Sequence, residues 1–178
     1  MSVEATRHKA LAAAGSSLFF ALAPGVVAGV VPWWLTSWRV EEPLPYSAPL
    51  RVVGAVLLAG GATVLVQAFA RFVVEGIGTP SPAAPTERLV VGGLYRYLRN
   101  PMYVAVAAAI VGQALVLGQP ILLAYAAGVC VANAAFVYWY EEPTLGGQFG
   151  AQYEAYRRAV PGWWPRRHPW DANSLGPT

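Results

Sequence analysis

Two short polar clusters hold most of the side chains in this chain that could do chemistry. The first is Gly92-Gly93-Leu94-Tyr95-Arg96-Tyr97-Leu98-Arg99-Asn100-Pro101-Met102-Tyr103, and the second is Glu141-Glu142-Pro143. Between Pro101 and Tyr140 the chain carries no charge. Pro101 suits the first turn of a helix, which puts Arg99 and Asn100 at its N-terminus. Unpaired backbone N–H groups and the helix dipole favour an anion there, so a carboxylate or phosphate is the expected ligand. Gly92-Gly93 lets backbone approach a ligand closely, and Tyr95 and Tyr97 add stacking faces. Glu141 and Glu142 can accept hydrogen bonds from a ribose diol or an amine, pair with Arg96 or Arg99, or cap a helix in solvent. A basic loop holding anionic lipid headgroups explains Arg96 and Arg99 more simply if they are taken alone. The acidic pair across the apolar run is what points to an assembled site.

The elements that position these clusters follow from composition. The 178 residues are 56% hydrophobic and 12% charged, with a mean hydropathy of +0.44. That charged fraction is about half of what soluble domains carry. An all-α integral membrane protein of one domain (1–178) is expected, with about four transmembrane helices. A crossing needs about 20 apolar residues, and the candidates are 10–31, 52–70, 102–117 and 121–140. Gly118-Gln119-Pro120 divides the last two into a tight antiparallel hairpin. Asn100 and Glu141 must then return to the same face of the membrane. Trp33, Trp34 and Trp38, and Tyr138, Trp139 and Tyr140, suit the interfaces.

Arg7 and Lys9 followed by an apolar run resemble a signal peptide. Pro24 after Ala21-Leu22-Ala23 disfavours cleavage, so a retained span is the reading. Of the 12 Lys and Arg residues, Arg39 and Arg51 fall on one side of the spans and the others on the opposite side. The positive-inside rule makes both termini cytoplasmic, and the protein a multi-pass one of the inner or plasma membrane. The net charge of +3 is thereby explained by topology, not nucleic acid.

Phe149, Tyr153, Tyr156 and Val160 lie on one face of a C-terminal amphipathic helix on the membrane surface. Glu154 and Arg158 make an i,i+4 pair on another face. Arg157 is placed to point toward the space that this helix covers. Trp163-Trp164 and Arg166-Arg167 suit an interfacial anchor, and 171–178 a disordered tail. The stripes Ala55, Ala59, Thr63 and Ala124, Gly128, Ala132 suit close helix packing, within the molecule or between copies. Gln67, Gln113 and Asn133 are expected to hydrogen-bond between helices, and the lone Cys130 to fill space in the packing. His8 and His168 have no metal-ligand companions, so no metal is expected.

Gly93 to Tyr103, Glu141-Glu142-Pro143, and Phe149-Gly-x-x-Tyr153-x-x-Tyr156-x-x-x-Val160-Pro161 occur in that order. Together they resemble the isoprenylcysteine carboxyl methyltransferase and phospholipid methyltransferase superfamily, over about Gly76 to Pro165. The resemblance implies S-adenosylmethionine as cofactor at the cytoplasmic boundary, without a Rossmann domain, and a lipophilic acceptor that arrives sideways from the bilayer. It implies that 71–100 and 141–167 are the cytoplasmic cofactor-binding elements. Within them it assigns Gly93, Tyr95, Arg99, Asn100, Pro101, Tyr103, Glu141, Glu142, Tyr153 and Tyr156 to the cofactor, and Arg99, Glu142 and Arg157 to catalysis. Isoprenylcysteine enzymes commonly carry His where this chain has Asn100, which can donate a hydrogen bond but not titrate. An NADPH-dependent membrane reductase related to the sterol reductases is an alternative, as is a non-catalytic protein binding lipid or a partner. The acceptor, the atom methylated and the oligomeric state are left open.

Overall fold

The computed structural model describes residues 22–41, 47–75 and 89–171. All regular elements among them are helical. Five helices follow in order: α1 (Leu22–Thr36), α2 (Ser47–Glu75), α3 (Pro101–Leu117), α4 (Pro120–Phe149) and α5 (Ala151–Ala159). A short 3-10 turn, Gly93–Arg96, precedes α3. The expected segment 10–31 is described only from residue 22 onward, and the tail only to Asp171.

Helices α2 and α4 are long and apolar enough to cross a membrane, whereas α1 and α3 are shorter. Their outer faces stay apolar. Val52, Val56, Val66 and Val131 are all exposed, as are Trp33, Trp34 and Trp38 at one end of the bundle and Tyr138, Trp139 and Tyr140 at the other. So much uncovered apolar surface, ending in aromatic rings on both sides, is what a lipid-facing protein presents.

The two long helices correct the expected boundaries. Helix α2 does not close at Arg71 but continues to Glu75. Helix α4 does not end at Tyr140 but runs through Glu141-Glu142-Pro143 to Phe149. A π turn over Val137–Glu141 accommodates this, with Glu142 N–H donating to Val137 O. Pro143 has no N–H to give the preceding turn, and an interrupted hydrogen-bond ladder is a known setting for such a turn. The acidic pair therefore belongs to the helix wall, not to a loop after it.

Helices α2 and α3 pack antiparallel at backbone contact. A Cβ placed on Gly54 would lie 2.8 Å from Gly112 O, one on Gly61 2.8 Å from Ala105 O, and one on Gly112 2.7 Å from Gly54 O. No side chain other than hydrogen fits this seam. Gly54, Gly61 and Ala68 recur every seven residues and are buried. The expected stripes Ala55, Ala59, Thr63 and Ala124, Gly128, Ala132 are instead exposed. Small residues allow close approach, but their spacing does not say which stripe is used.

The turn between α3 and α4 is as tight as expected. Gly118 takes a left-handed conformation (φ 66°), and Pro120 occupies the first turn of α4. Gln119 Nε2 donates to Arg39 O at 2.9 Å, and Glu41 N–H to Leu117 O at 2.8 Å, closing this end of the bundle. Gln113 bridges helices as expected, donating to Ala28 O at 2.6 Å, and Tyr125 OH donates to Val27 O at 2.9 Å. Both acceptors lie in a π-helical stretch of α1, Val26–Val30. Gln67 is exposed, and Cys130 is also exposed on α4, not filling an internal gap.

Phe149, Tyr153, Tyr156 and Val160 do share one apolar cluster, together with Trp170. They do not share one helix. Gly150, at φ 50°, breaks the chain between α4 and α5. Leu89 to Val91 forms no regular element.

Candidate active site

At the end of the bundle opposite Gly118, four pieces of chain converge: the 3-10 turn, the start of α3, the π turn of α4, and α5. A fifth piece, Val160 to Trp170, lies along the first. Arg99 N–H donates to Pro161 O at 3.0 Å, Asn100 N–H to Gly162 O at 3.2 Å, Arg166 N–H to Tyr97 O at 3.0 Å, and Trp170 N–H to Arg96 O at 2.9 Å. This strap was legible in the sequence only as a membrane anchor. Trp164 does remain exposed, but Trp170 is buried against Tyr156 with ring centroids 5.3 Å apart.

Arg99 is the hub. Its Nη1 donates to Glu142 Oε1 at 2.7 Å and to Tyr153 OH at 3.0 Å, while Nε donates to Val160 O at 3.0 Å. The Arg99 and Glu142 side chains are 14% and 17% exposed, so the pair is shielded but not sealed. Arg157 reaches the other oxygen, Glu142 Oε2, at 3.2 Å from a more exposed position. Both carboxylate oxygens of Glu142 are thus held by guanidinium groups. Arg157 also approaches Glu154 at 3.6 Å, while Arg158 bonds the Glu154 carbonyl and not its carboxylate. Arg96 turns away from the acidic pair, its Nε donating to Trp170 O at 2.6 Å.

Asn100 caps α3 without a side-chain capping bond, and Pro101 follows in the first turn. Its side-chain Nδ2 is buried with no hydrogen-bond partner, and the residue is 7% exposed. A buried amide donor left unpaired costs about 1–3 kcal/mol. It marks a place where an acceptor atom would be favoured. Glu141 is held differently from Glu142: Tyr103 OH donates to its Oε2 at 3.0 Å. Tyr156 OH donates to Tyr95 O at 2.7 Å, locking α5 onto the 3-10 turn. Burial raises the Tyr153 and Tyr156 phenol pKa values above the usual 10.0, against the lowering influence of Arg99.

These groups surround one cavity of about 70 Å³. Tyr95, Arg99, Asn100, Glu141, Glu142, Tyr153 and Tyr156 line it. Pro101 lies buried beneath as part of the first turn of α3, and Gly93, with φ 56°, turns the chain into the 3-10 segment. Tyr103 and Arg157 reach the carboxylates from outside that lining. The sequence did not reveal the apolar wall of Leu89, Val90, Val137 and Leu145. Nor did it reveal Gly162, where a Cβ would sit 3.2 Å from Arg99 Nη2 and 3.5 Å from Asn100 Nδ2. The only local signal for Gly162 is a glycine after Pro161.

No curated protein and no solved structure matches the chain. A model of the phospholipid methyltransferases does match, over residues 50–152, from the start of α2 into α5. That match spans more than half of the chain and both polar clusters, so the protein belongs to the phospholipid methyltransferase family.

Proposed function

We propose that this protein transfers a methyl group from S-adenosylmethionine to a lipophilic acceptor at the cytoplasmic face of a membrane. The family indicates methyl transfer to a lipid-type acceptor. The observation that carries the cofactor assignment is the unpaired Asn100 Nδ2 beside Arg99 at the N-terminus of α3. A carboxylate suits that donor set, and the methionyl end of the cofactor has one. Glu142 is the candidate acceptor for ribose hydroxyls or the cofactor's amine, and the Leu89, Val90, Val137 and Leu145 wall suits its less polar parts. The donor set fits; the 70 Å³ cavity requires Arg99, Tyr153 or the strap to yield on binding.

When bound, S-adenosylmethionine supplies a methyl group on a sulfonium whose leaving group departs neutral. The protein's task is therefore to align reactants and exclude water, which can account for ~7–11 kcal/mol of a barrier. A carboxylate acceptor needs no base. An amine acceptor must lose a proton, and Glu141 is the better placed of the pair to take it. Glu142 has both oxygens engaged by arginines, whereas Glu141 accepts only a phenol hydrogen bond among the described contacts.

In this reading four helices cross the bilayer, with Arg96, Arg99, Arg157, Arg158, Arg166 and Arg167 on the cytoplasmic side. Arg39 and Arg51 lie toward the Gly118 end. Calorimetric titration of the detergent-purified protein with S-adenosylmethionine, its demethylated product and NADPH tests the cofactor. Saturable binding of the first two is expected. Binding of NADPH alone, or of none by folded protein, would overturn the proposal.

A further inference from the structure

Arg96 and Arg99 are the cations that the sequence offers to anionic lipid headgroups, but the structure engages both inside the protein, on Trp170 O and on Glu142. The cations left at this surface lie elsewhere. Arg158 and Arg167 are exposed, and neither makes an ion pair among the described residues. Arg166 Nη1 donates to Ala159 O at 3.1 Å, which brings the segment carrying Arg167 beside the end of α5 that carries Arg158. Trp164, on the same strap, is 81% exposed. A tryptophan so uncovered, on a segment with two such cations, suits a membrane–water interface better than bulk water.

Neighbouring contacts set the depth of this patch. Trp163 faces Tyr103 across a furrow, with ring centroids 6.4 Å apart. Tyr103 OH bonds Glu141, which directly follows the exposed belt of Tyr138, Trp139 and Tyr140. The strap therefore lies at the level of that belt, where aromatic rings meet lipid headgroups. The same strap is bonded to the site. Arg99 N–H and Asn100 N–H donate to Pro161 O and Gly162 O, Arg166 N–H and Trp170 N–H donate to Tyr97 O and Arg96 O, and Arg99 Nε donates to Val160 O. Whatever holds the strap in place holds Arg99 and Asn100 with it.

We infer that Trp164, Arg158 and Arg167 dock the strap on an anionic membrane surface, and that this docking tightens the cofactor site. The occupant is the headgroup layer of acidic phospholipids, since the patch joins an exposed ring to cations at the depth of the belt. The coupling follows from preorganisation. The bonded strap presents Trp164 and Arg167 already ordered, whereas a detached strap would have to be ordered on binding. Anionic lipid therefore favours the bonded state and shifts the population towards it. The strap lies beyond the region matched by the family model, which ends at residue 152. Docking is independent of the reaction, and only its effect on S-adenosylmethionine rests on the methyltransferase reading.

The test compares the full chain in nanodiscs of dioleoylphosphatidylcholine with the full chain in the same lipid mixed with dioleoylphosphatidylglycerol. Hydrogen–deuterium exchange of the peptides containing Arg166 and Trp170 is followed without cofactor. Exchange there should slow about fivefold in the anionic discs, and high salt should erase the difference by screening exposed charges. Arg158→Gln combined with Arg167→Gln should abolish it while matching the unmodified protein in neutral discs. Trp164→Ala should speed exchange in both lipids. Exchange indifferent to lipid charge, a difference that survives the double substitution, or a strap unmoved by Trp164→Ala would overturn the inference. So would the same slowing by glycerol 3-phosphate in neutral discs, which would make the patch a soluble-anion site. Calorimetry on the same discs should show S-adenosylmethionine bound several-fold tighter with anionic lipid, and equal affinity in the two lipids would overturn the coupling. Slowed exchange with no cofactor binding in either lipid sinks the methyltransferase reading and leaves the docking standing.

Discussion

The α2–α3 seam and the Arg99 cluster stand at opposite extremes of how this molecule holds itself together. In the seam, backbone touches backbone at Gly54, Gly61 and Gly112, with no room for one added carbon. In the cluster, long side chains meet through exchangeable hydrogen bonds around a small cavity. The seam has a single arrangement, because no rotamer can relieve a clash between two backbones. The cluster has several, because Arg99, Glu142 and Arg157 can trade partners without moving a helix. The contrast suits an enzyme that must keep its frame while a ligand displaces internal ion pairs.

The largest expected effect breaks the rigid side of that contrast. Gly112→Leu forces a side chain into the space of Gly54 and Leu58, where the obstacle is backbone; overpacking costs about 1–3 kcal/mol and occasionally more, and an unyielding obstacle puts this variant at the upper end. Loss of the folded protein by size-exclusion chromatography is expected. Full expression with an unchanged melting temperature would show that the seam is loose. On the exchangeable side, Arg99→Ala and Glu142→Gln should each weaken S-adenosylmethionine binding by tenfold or more. Removing a charge-assisted hydrogen bond costs ~1.5–3 kcal/mol. The double variant should lose less than the sum of the singles, because the partners meet at 2.7 Å. Strict additivity in calorimetry would show that the two side chains act separately.

A subtler test asks whether the strap belongs to the frame or to the cluster. Gly162→Ala brings a methyl group to 3.2 Å from Arg99 Nη2, a flexible side chain that can give way. Cofactor affinity should fall several-fold with little change in melting temperature. A large drop in thermal stability would assign the strap to the frame instead. The smallest expected effect is on pH dependence. Burial makes Tyr153 and Tyr156 hold their protons more tightly in the folded state. The unfolded chain therefore ionises first as pH rises past the ordinary tyrosine value near 10, and stability present below that pH is lost above it. Denaturation midpoints should decline above about pH 10, and Tyr156→Phe should flatten the decline. An unchanged slope in that variant would remove Tyr156 from the account.

How far the site could be read in advance depended on the range of the interaction. The hairpin of α3 and α4 was legible because Gly118-Gln119-Pro120 is a local signal, and two antiparallel helices joined so tightly must return their far ends together. That logic alone places Asn100 near Glu141, and both line the same cavity. The end of α4 was misjudged because charges and a proline usually close a span, whereas here a π turn carries the helix through them. Which small-residue stripe packs within the molecule was not legible either. Alanine and glycine at helical spacing occur on several faces, and only the partner helix selects one.

Composition and charge placement by themselves pointed to helices with apolar outer faces and two polar clusters at one end, which is what the described residues form, since long apolar segments satisfy their backbone groups best as helices. Motif order determined the family. Only the tertiary structure decided that Gly54 meets Gly112, that the strap after α5 supports Arg99 and Asn100, and that Trp163 faces Tyr103 across a furrow. These are contacts between distant parts of the chain. Their partners are chosen by shape and by hydrogen bonds that no local pattern of residues encodes.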